Sequence, residues 1–334
     1  MKRISILAIL LVLACINTHA QAFLDKVQSE RRLKVGLVLG GGGAKGAAEV
    51  GALKIIEKSG IPIDYIAGTS IGSIVGGLYA CGYRADSLEH LFLNQHWLNL
   101  FSNRKEAFKD RVLEEDEEGT TYLFGFPVLH KKKKENNNTG FGILSANAVT
   151  HMLDSLTHQW NGIESFDRLP IPFRCVAVDL FSQEEVWLDS CELELAMRAS
   201  MAIPGVFRPV KWKEYTLVDG GMMNNLPVDV VKAMGADVVI AIDLTQEKHE
   251  DSDFSLKDLV GIGGLADWLL SRPDRKKYND NVAAADVVIA PALFDFSAAS
   301  FSLEQVGQMI ERGEDAANEM WDELMKLKKK IAQP

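Results

Sequence analysis

A serine at the centre of the pentapeptide GTSIG, residues 68–72, has the surroundings of a nucleophile. A serine hydroxyl attacks an ester only if a base takes its proton and hydrogen-bond donors hold the oxyanion that forms. The pattern GxSxG supplies the geometry, because Gly68 and Gly72 let the chain turn sharply from a strand into a helix. An apolar run precedes Ser70 and a helix-forming run follows it. The alternative is a purely structural tight turn, since such short patterns also arise by chance.

A glycine-rich run, GGGGAKG at residues 40–46, follows the first apolar segment. Such a loop can cradle a phosphate, or it can turn backbone N–H groups towards an oxyanion. Residues 41–46 formally satisfy the dinucleotide pattern GxGxxG. A dinucleotide site also needs an acidic residue about 20 positions on, at the end of the second strand, whereas Asp64 lies at its start. A Walker loop needs Ser or Thr after its lysine, and Lys45 is followed by Gly46. The oxyanion interpretation is therefore favoured.

An aspartate ends a third apolar run in LVDGG, residues 217–221. Next to two glycines, Asp219 can approach a serine closely and accept its proton. Taken alone, the motif also fits a turn aspartate that caps its own backbone. The three motifs occur in order, each at the end of a predicted strand, and together they favour a serine hydrolase.

The three motifs together resemble those of the patatin-like phospholipase family of lipid acyl hydrolases. That family pairs a GGGxRG oxyanion loop with GxSxG and a DGG or DGA motif. Residues 41–46 match the loop, with Lys45 in place of the usual arginine. Stretches 198–207 and 224–228 also resemble the family, and the resemblance covers about residues 34–243.

This resemblance implies a Ser–Asp dyad rather than a Ser–His–Asp triad, and hydrolysis by that route needs no metal or cofactor. His249 is late enough in the chain to complete a triad, but it lies in the charged segment QEKHEDSD and is interpreted as a surface residue. The resemblance assigns Ser70 and Asp219 as catalytic, Gly41, Gly42, Gly43 and Lys45 to the oxyanion hole, and Gly68, Gly72, Gly220 and Gly221 as motif glycines.

Two residues depart from the family pattern. Lys45 keeps the positive charge of arginine but lacks its fork of donors. Glu49 lies just past the loop, where family members often carry histidine. We interpret Glu49 as a solvated residue or a member of a salt bridge.

The order of apolar segments predicts an α/β fold with a mainly parallel sheet, because strand, turn and helix alternate. The resemblance implies three α/β/α layers. The predicted strands are 34–39, 65–67, 173–178, 237–242 and 286–290, and the predicted helices are one that ends at residue 60, then 71–81, 227–234 and 303–330.

Composition limits the class of protein. The chain has 334 residues, of which 47% are hydrophobic and 25% charged, as in folded globular proteins. Its net charge of −10 argues against general nucleic-acid binding, which depends on Lys and Arg.

The N-terminus has the pattern of a signal peptide over residues 1–22. Two basic residues, a short apolar run and the small-x-small sequence AQA occur in order. The alternative is lipoprotein processing at Cys15. Cleavage leaves Cys81, Cys175 and Cys191, which we interpret as buried thiols, with a Cys175–Cys191 bridge as the alternative.

The remaining chain, 23–334, is interpreted as one patatin-like catalytic domain with an insertion at residues 100–142. The insertion holds EEDEE, an apolar stretch and KKKKENNN. Its simpler interpretation is a hairpin or lobe with solvated turns, and the functional one is a lid that touches lipid.

The sequence therefore leads to an expected function. We expect an exported lipid acyl hydrolase, periplasmic or secreted and in contact with the outer membrane, of the phospholipase A or lysophospholipase type. Its partners would be a phospholipid or other acyl-ester lipid and a membrane surface. The alternatives are a lipid acyltransferase and a catalytically silent lipid-binding module of the cell envelope.

Overall fold

The computed structural model describes residues 32–97, 100, 146–245 and 275–332, together with the backbone of three short strands between residues 113 and 130. The strands are β1 (Val35–Leu39), β2 (Tyr65–Thr69), β3 (Leu113–Glu115), β4 (Thr120–Leu123), β5 (Phe126–His130), β6 (Phe173–Asp179), β7 (Glu185–Leu188), β8 (Val210–Trp212), β9 (Tyr215–Asp219), β10 (Val238–Ile242) and β11 (Val287–Ile289). The helices are α1 (Ala47–Ser59), α2 (Ile71–Ala80), α3 (Ala85–Asn94), α4 (Asn147–Thr157), α5 (Leu193–Ser200), α6 (Val228–Ala233), α7 (Arg275–Ala284), α8 (Leu303–Glu319) and α9 (Trp321–Ala332).

An eight-stranded sheet forms the centre of the described part, in the order β11-β10-β1-β2-β6-β9-β8, with β7 also paired to β6. The strands from β11 to β6 run parallel, and β7, β8 and β9 are antiparallel to their neighbours. Continuous apolar runs form the parallel strands because both faces of such a sheet are covered. The prediction of a mainly parallel sheet is confirmed.

Helices cover both faces of this sheet. Successive side chains of a strand point to opposite faces. Leu37 and Leu39 of β1 belong to a core that includes residues of α1, α2 and α8, whereas Val38 belongs to a second core with Val230 and Val231 of α6. The three-layer α/β/α fold is confirmed.

The C-terminal segment differs from its prediction as one helix over residues 303–330. It forms two helices, α8 and α9, which meet at Met320. The break lets α9 lie against the end of α1, where the Lys328 ammonium donates to the Ser59 carbonyl at 2.6 Å. A cation at a helix C-terminus is favourable because the carbonyls there lack partners within the helix.

Several sequence predictions concern other parts of the chain. The signal peptide and His249 lie outside the described residues. Within the insertion, β3, β4 and β5 form a separate antiparallel sheet, while the charged turns that bear on the lid interpretation lie outside the described residues. Cys81, Cys175 and Cys191 are free thiols, so the alternative bridge is absent from the described structure. Among the described helices, none combines the length and apolar character needed to cross a bilayer.

Candidate active site

Ser70 lies in a sharp turn between β2, which ends at Thr69, and α2, which begins at Ile71. Its backbone has φ 54° and ψ −123°, a conformation that costs energy for any residue with a side chain. Hydrogen bonds on both sides hold it there. The Ser70 N–H donates to Ser200 Oγ at 2.9 Å, and the Ser70 carbonyl accepts from Ser73 Oγ at 2.6 Å.

The flanking glycines are needed because backbone segments nearly touch at this turn. A Cβ on Gly72 would lie 2.4 Å from the Leu39 carbonyl oxygen at the end of β1. A Cβ on Gly68 would lie 2.3 Å from the Gly72 carbonyl oxygen. Both distances are far below van der Waals contact, so GTSIG has the close-packed form of a nucleophile elbow.

The sheet brings Asp219 to Ser70 across 149 residues of sequence. In the pairing with β6, Thr69 lies opposite Val176 and Asp219 lies opposite Ala177. The carboxyl ends of β2 and β9 therefore meet beside β6. The Ser70 hydroxyl donates to Asp219 Oδ2 at 2.7 Å, the separation that direct proton transfer requires.

Burial sets the acidity of Asp219. This side chain is 1% exposed, and desolvation raises its pKa from the ordinary 3.8 to about 7, against the lowering effect of hydrogen bonds from the Gly221 N–H and the Ser70 hydroxyl. The Gly221 N–H donates to Oδ1 at 2.8 Å, and Gly220 lies directly against the Val176 carbonyl. A carboxylate with this pKa is a stronger base than an exposed aspartate.

The glycine loop passes beside the serine. A Cβ on Gly41 would lie 3.2 Å from the Ser70 Cβ. The Gly41 N–H donates to the Asn225 carbonyl at 3.1 Å, so it is not free for an oxyanion. Among the described residues, the Gly42 and Gly43 N–H groups have no acceptor. Of the loop glycines predicted for the oxyanion hole, Gly41 therefore has its N–H occupied, and the assignment of the hole stays a prediction.

A comparison with known proteins identifies the family. The sequence profile of the patatin-like phospholipase family matches residues 37–232. The chain belongs to this family. The resemblance predicted from the motifs is thus confirmed.

Similar proteins include members of the NTE group. Lysophospholipase NTE1 of Mycosarcoma maydis is 34% identical over 231 residues, which make up 68% of this chain and 10% of that protein. An uncharacterised NTE family protein of Mycobacterium tuberculosis is 31% identical over 219 residues, 66% of this chain and 51% of that protein. The chain thus spans about half the length of its mycobacterial relative and a tenth of its fungal one.

Two solved structures align over most of the chain. VipD from Legionella pneumophila is 12% identical with a TM-score of 0.47, covering 88% of this chain and 67% of that one. The ExoU–SpcU complex from Pseudomonas aeruginosa contains a chain that is 15% identical with a TM-score of 0.44, covering 89% of this chain and 52% of that one.

In this patatin-like protein, Lys45 lies in a single 3-10 turn, Gly43–Gly46, between the loop and α1. Its N–H donates to the Gly42 carbonyl at 3.3 Å, and the Ala44 N–H donates to the Ala298 carbonyl at 2.8 Å. The C-terminal part of the chain therefore helps to hold the glycine loop.

Three residues that contact the site were not predicted from the sequence. Ser200 and Asn225 lie in stretches 198–207 and 224–228, which resemble the family but suggested no role, and Ala298 lies in neither. Their contacts join segments far apart in the chain. Among the described residues, no cluster of His, Cys, Asp and Glu is arranged to hold a metal ion.

Glu49 contradicts its interpretation as solvated or paired. It is fully buried in α1, and neither carboxylate oxygen has a hydrogen-bond partner among the described residues. Burial raises the pKa of Glu49 well above the ordinary 4.5, and the nearby Gly40 backbone opposes this rise. The Gly40 N–H itself donates to the Ile242 carbonyl. Such an environment favours the neutral acid.

We expect Glu49→Met to stabilise the protein. Methionine has a similar length and leaves no polar atom buried without a partner, so the free energy of unfolding should rise by about 1–3 kcal/mol. Chemical denaturation measures it, with Glu311→Met at an exposed position of α8 as the control. A clear loss of stability in Glu49→Met would contradict a buried carboxyl without a partner.

Proposed function

We propose that this protein is a serine lipid acyl hydrolase of the phospholipase A or lysophospholipase type, with Ser70 and Asp219 as its catalytic dyad. One observation carries the proposal: the hydroxyl of a strained Ser70 donates at 2.7 Å to a buried aspartate. The N–H groups of Gly42 and Gly43 in the adjacent loop, which have no acceptor within the part of the chain that the structure describes, support it. Membership of the patatin-like family and similarity to proteins named lysophospholipase support the substrate class.

The first half of the reaction forms an acyl-enzyme. Asp219 accepts the hydroxyl proton as Ser70 Oγ bonds to the ester carbonyl carbon. The carbonyl π electrons move to oxygen, where the Gly42 and Gly43 N–H groups stabilise the charge. The C–O bond to the leaving alcohol then breaks, and that alcohol takes the proton from Asp219.

The second half releases the fatty acid. A water molecule gives a proton to Asp219 and bonds to the acyl carbon, again through an oxyanion at the glycine loop. The bond to Ser70 Oγ breaks, and the serine recovers its proton from Asp219. If a lysolipid or other alcohol takes the place of water, the same steps give acyl transfer.

Release of free fatty acid from mixed phospholipid vesicles tests this function. We expect the wild type to release free fatty acid in the presence of EDTA. Free fatty acid should remain the main product when an acceptor alcohol is added. If the main product is instead an acyl ester of that alcohol, the protein is an acyltransferase and not a hydrolase. Inertness towards vesicles and simple acyl esters alike would overturn the enzyme assignment in favour of a lipid-binding module.

A lipid substrate implies contact with a membrane surface, and an exposed aromatic side chain near the site supports this. Phe181 lies two residues after the end of β6, the strand against which the ends of β2 and β9 meet, and is 80% exposed. Trp187 of β7, opposite Val176, is also partly exposed. Aromatic side chains enter the interfacial region of bilayers favourably.

We expect Phe181→Asp to lower kcat/KM on phospholipid vesicles by roughly tenfold, since burial of one such side chain contributes about 1.5–3 kcal/mol. Hydrolysis of a soluble short-chain ester should stay the same. Leu303→Asp is the matched control: Leu303 is 50% exposed at the start of α8, on the helix layer that packs on α1. Equal losses of kcat/KM on both substrates, or equal losses in the Phe181 and Leu303 variants, would contradict a membrane-contact role for Phe181.

Export is part of the proposal, supported by the signal-peptide pattern of residues 1–22. N-terminal sequencing of the protein from a periplasmic or secreted fraction should give Phe23 as the first residue. Recovery of the uncleaved chain from the cytoplasm would contradict export.

A further inference from the structure

Asn225 lies beneath the glycine loop and contacts Gly41 twice. Its backbone carbonyl accepts from the Gly41 N–H at 3.1 Å, and its side-chain amide Nδ2 donates to the Gly41 carbonyl at 3.1 Å. The residue is 3% exposed. One asparagine therefore holds both peptide groups that flank Gly41.

The second contact determines where the Gly42 N–H points. The described chain has no cis peptide bond, so the Gly41 carbonyl and the Gly42 N–H lie on opposite sides of one planar group. Because the carbonyl is directed at the Asn225 side chain, the Gly42 N–H is directed away from it. Among the described residues that N–H has no acceptor, and it belongs to the loop whose Gly41 lies beside Ser70.

The side chain of Asn225 makes this contact at an energetic cost. Its Oδ1 is buried and has no hydrogen-bond partner among the described residues. A buried acceptor without a partner costs about 1–3 kcal/mol. A leucine of similar size would avoid that cost but could not hold the Gly41 carbonyl, so the amide donor is the feature that packing alone does not explain.

The neighbouring residue connects the same segment to the serine. The Asn224 carbonyl accepts from Thr69 Oγ1 at 2.8 Å, one residue before Ser70. Asn224 and Asn225 thus hold the nucleophile elbow and the oxyanion loop from one short segment after β9. The distance between attacking oxygen and oxyanion donors depends on this segment.

We propose that Asn225 is a positioning residue for the oxyanion hole, and that its side-chain amide orients the Gly42 N–H through the Gly41 carbonyl. The inference rests on the proposed hydrolase function. Asn225 touches neither the substrate nor the reacting atoms in this proposal, and it acts through the peptide group between Gly41 and Gly42.

Asn225→Asp tests the proposal with little change in volume. Every substitution keeps the backbone contact to the Gly41 N–H. Aspartate replaces the amide donor by a carboxyl group and so also adds a charge, for which the uncharged Asn225→Leu variant is the control. We expect kcat on a soluble aryl ester to fall roughly 100-fold, the scale of losing one oxyanion donor, with KM changed less than about threefold. Asn225→Ser, which is smaller and uncharged, provides a second variant if Asn225→Asp does not fold.

A substrate with sulfur in place of the carbonyl oxygen, the matching thionoester, distinguishes a misplaced oxyanion donor from general damage to the fold. Sulfur accepts hydrogen bonds weakly, so this substrate gains little from an oxyanion hole. The wild-type preference for ester over thionoester should therefore shrink by roughly the factor lost in kcat. Ser59→Ala is the control, because Ser59 is a buried residue at the far end of α1 whose hydroxyl donates to the Ile56 carbonyl and accepts from the Ile61 N–H. It should lower the Tm and keep the wild-type preference.

The outcomes distinguish the inference from the function on which it rests. A wild type inactive on the ester would overturn the proposed function itself. An active wild type whose Asn225 variants keep full activity, or lose activity equally on ester and thionoester, would overturn the positioning role alone.

Discussion

Ser70→Ala should lower the rate of acyl-ester hydrolysis by at least about three powers of ten, because no other group replaces the attacking oxygen. Asp219→Asn should cost a similar factor, since an amide cannot take the proton that Ser70 donates at 2.7 Å. The two residues act as a unit, so the double variant should be no slower than the slower single variant. Initial rates on a soluble ester measure all three.

Ser59→Ala is the matched control, since Ser59 is a buried serine at the far end of α1. Its rate should stay within about twofold of the wild type. If Ser70→Ala also kept its activity, GTSIG would be a structural turn. If Ser70→Ala were inactive but Asp219→Asn were not, another base would serve the serine.

The dependence of the rate on pH should follow the raised pKa of Asp219. Only the ionised carboxylate accepts the serine proton, so kcat/KM should rise about tenfold per pH unit at low pH and level off above about 7. An aspartate of ordinary acidity would give a plateau already above about pH 4. A pH–rate profile on a neutral soluble ester measures this dependence. A value of kcat/KM that does not change between pH 5 and 8 would contradict it.

The same shift predicts a change in stability. Below pH 3.8 Asp219 is protonated in both the folded and the unfolded chain, and its burial carries no charge penalty. Between about pH 3.8 and 7 the unfolded chain releases this proton while the folded protein retains it, so the folded state loses on the order of 4 kcal/mol over that window, and the loss stays constant above about pH 7. Asp219→Asn should therefore be little different from the wild type near pH 4 and clearly more stable at pH 8. Denaturant titrations at the two pH values measure the difference, and an equal difference at both would contradict the shift.

The sequence predicted most of the fold and the central residues of the site because local chemistry determines them. The turn at Gly68–Gly72 leaves no room for a Cβ, so its pattern is visible in five letters. Apolar runs such as β1 and β10 are buried on both faces and gave the parallel sheet directly.

Contacts between distant segments could not be predicted in this way. Asn225 holds Gly41 across 184 residues, and Ala298 holds Ala44 from the C-terminal part of the chain. Neither residue type is unusual in a loop. Glu49 was misread for a related reason, because a charged residue in a helix suggests an exposed face and only the packed structure shows that it is enclosed.

The most direct test of the central claim is to find the atom that forms the covalent intermediate. An alkyl phosphonate ester with a good leaving group mimics the acyl substrate and stays bonded to an activated serine. After incubation, intact-mass spectrometry and peptide mapping should show one adduct, on the peptide that contains Ser70, and none in Asp219→Asn at the same exposure. Absence of an adduct in the wild type, or an adduct on a different serine, would contradict Ser70 as the nucleophile.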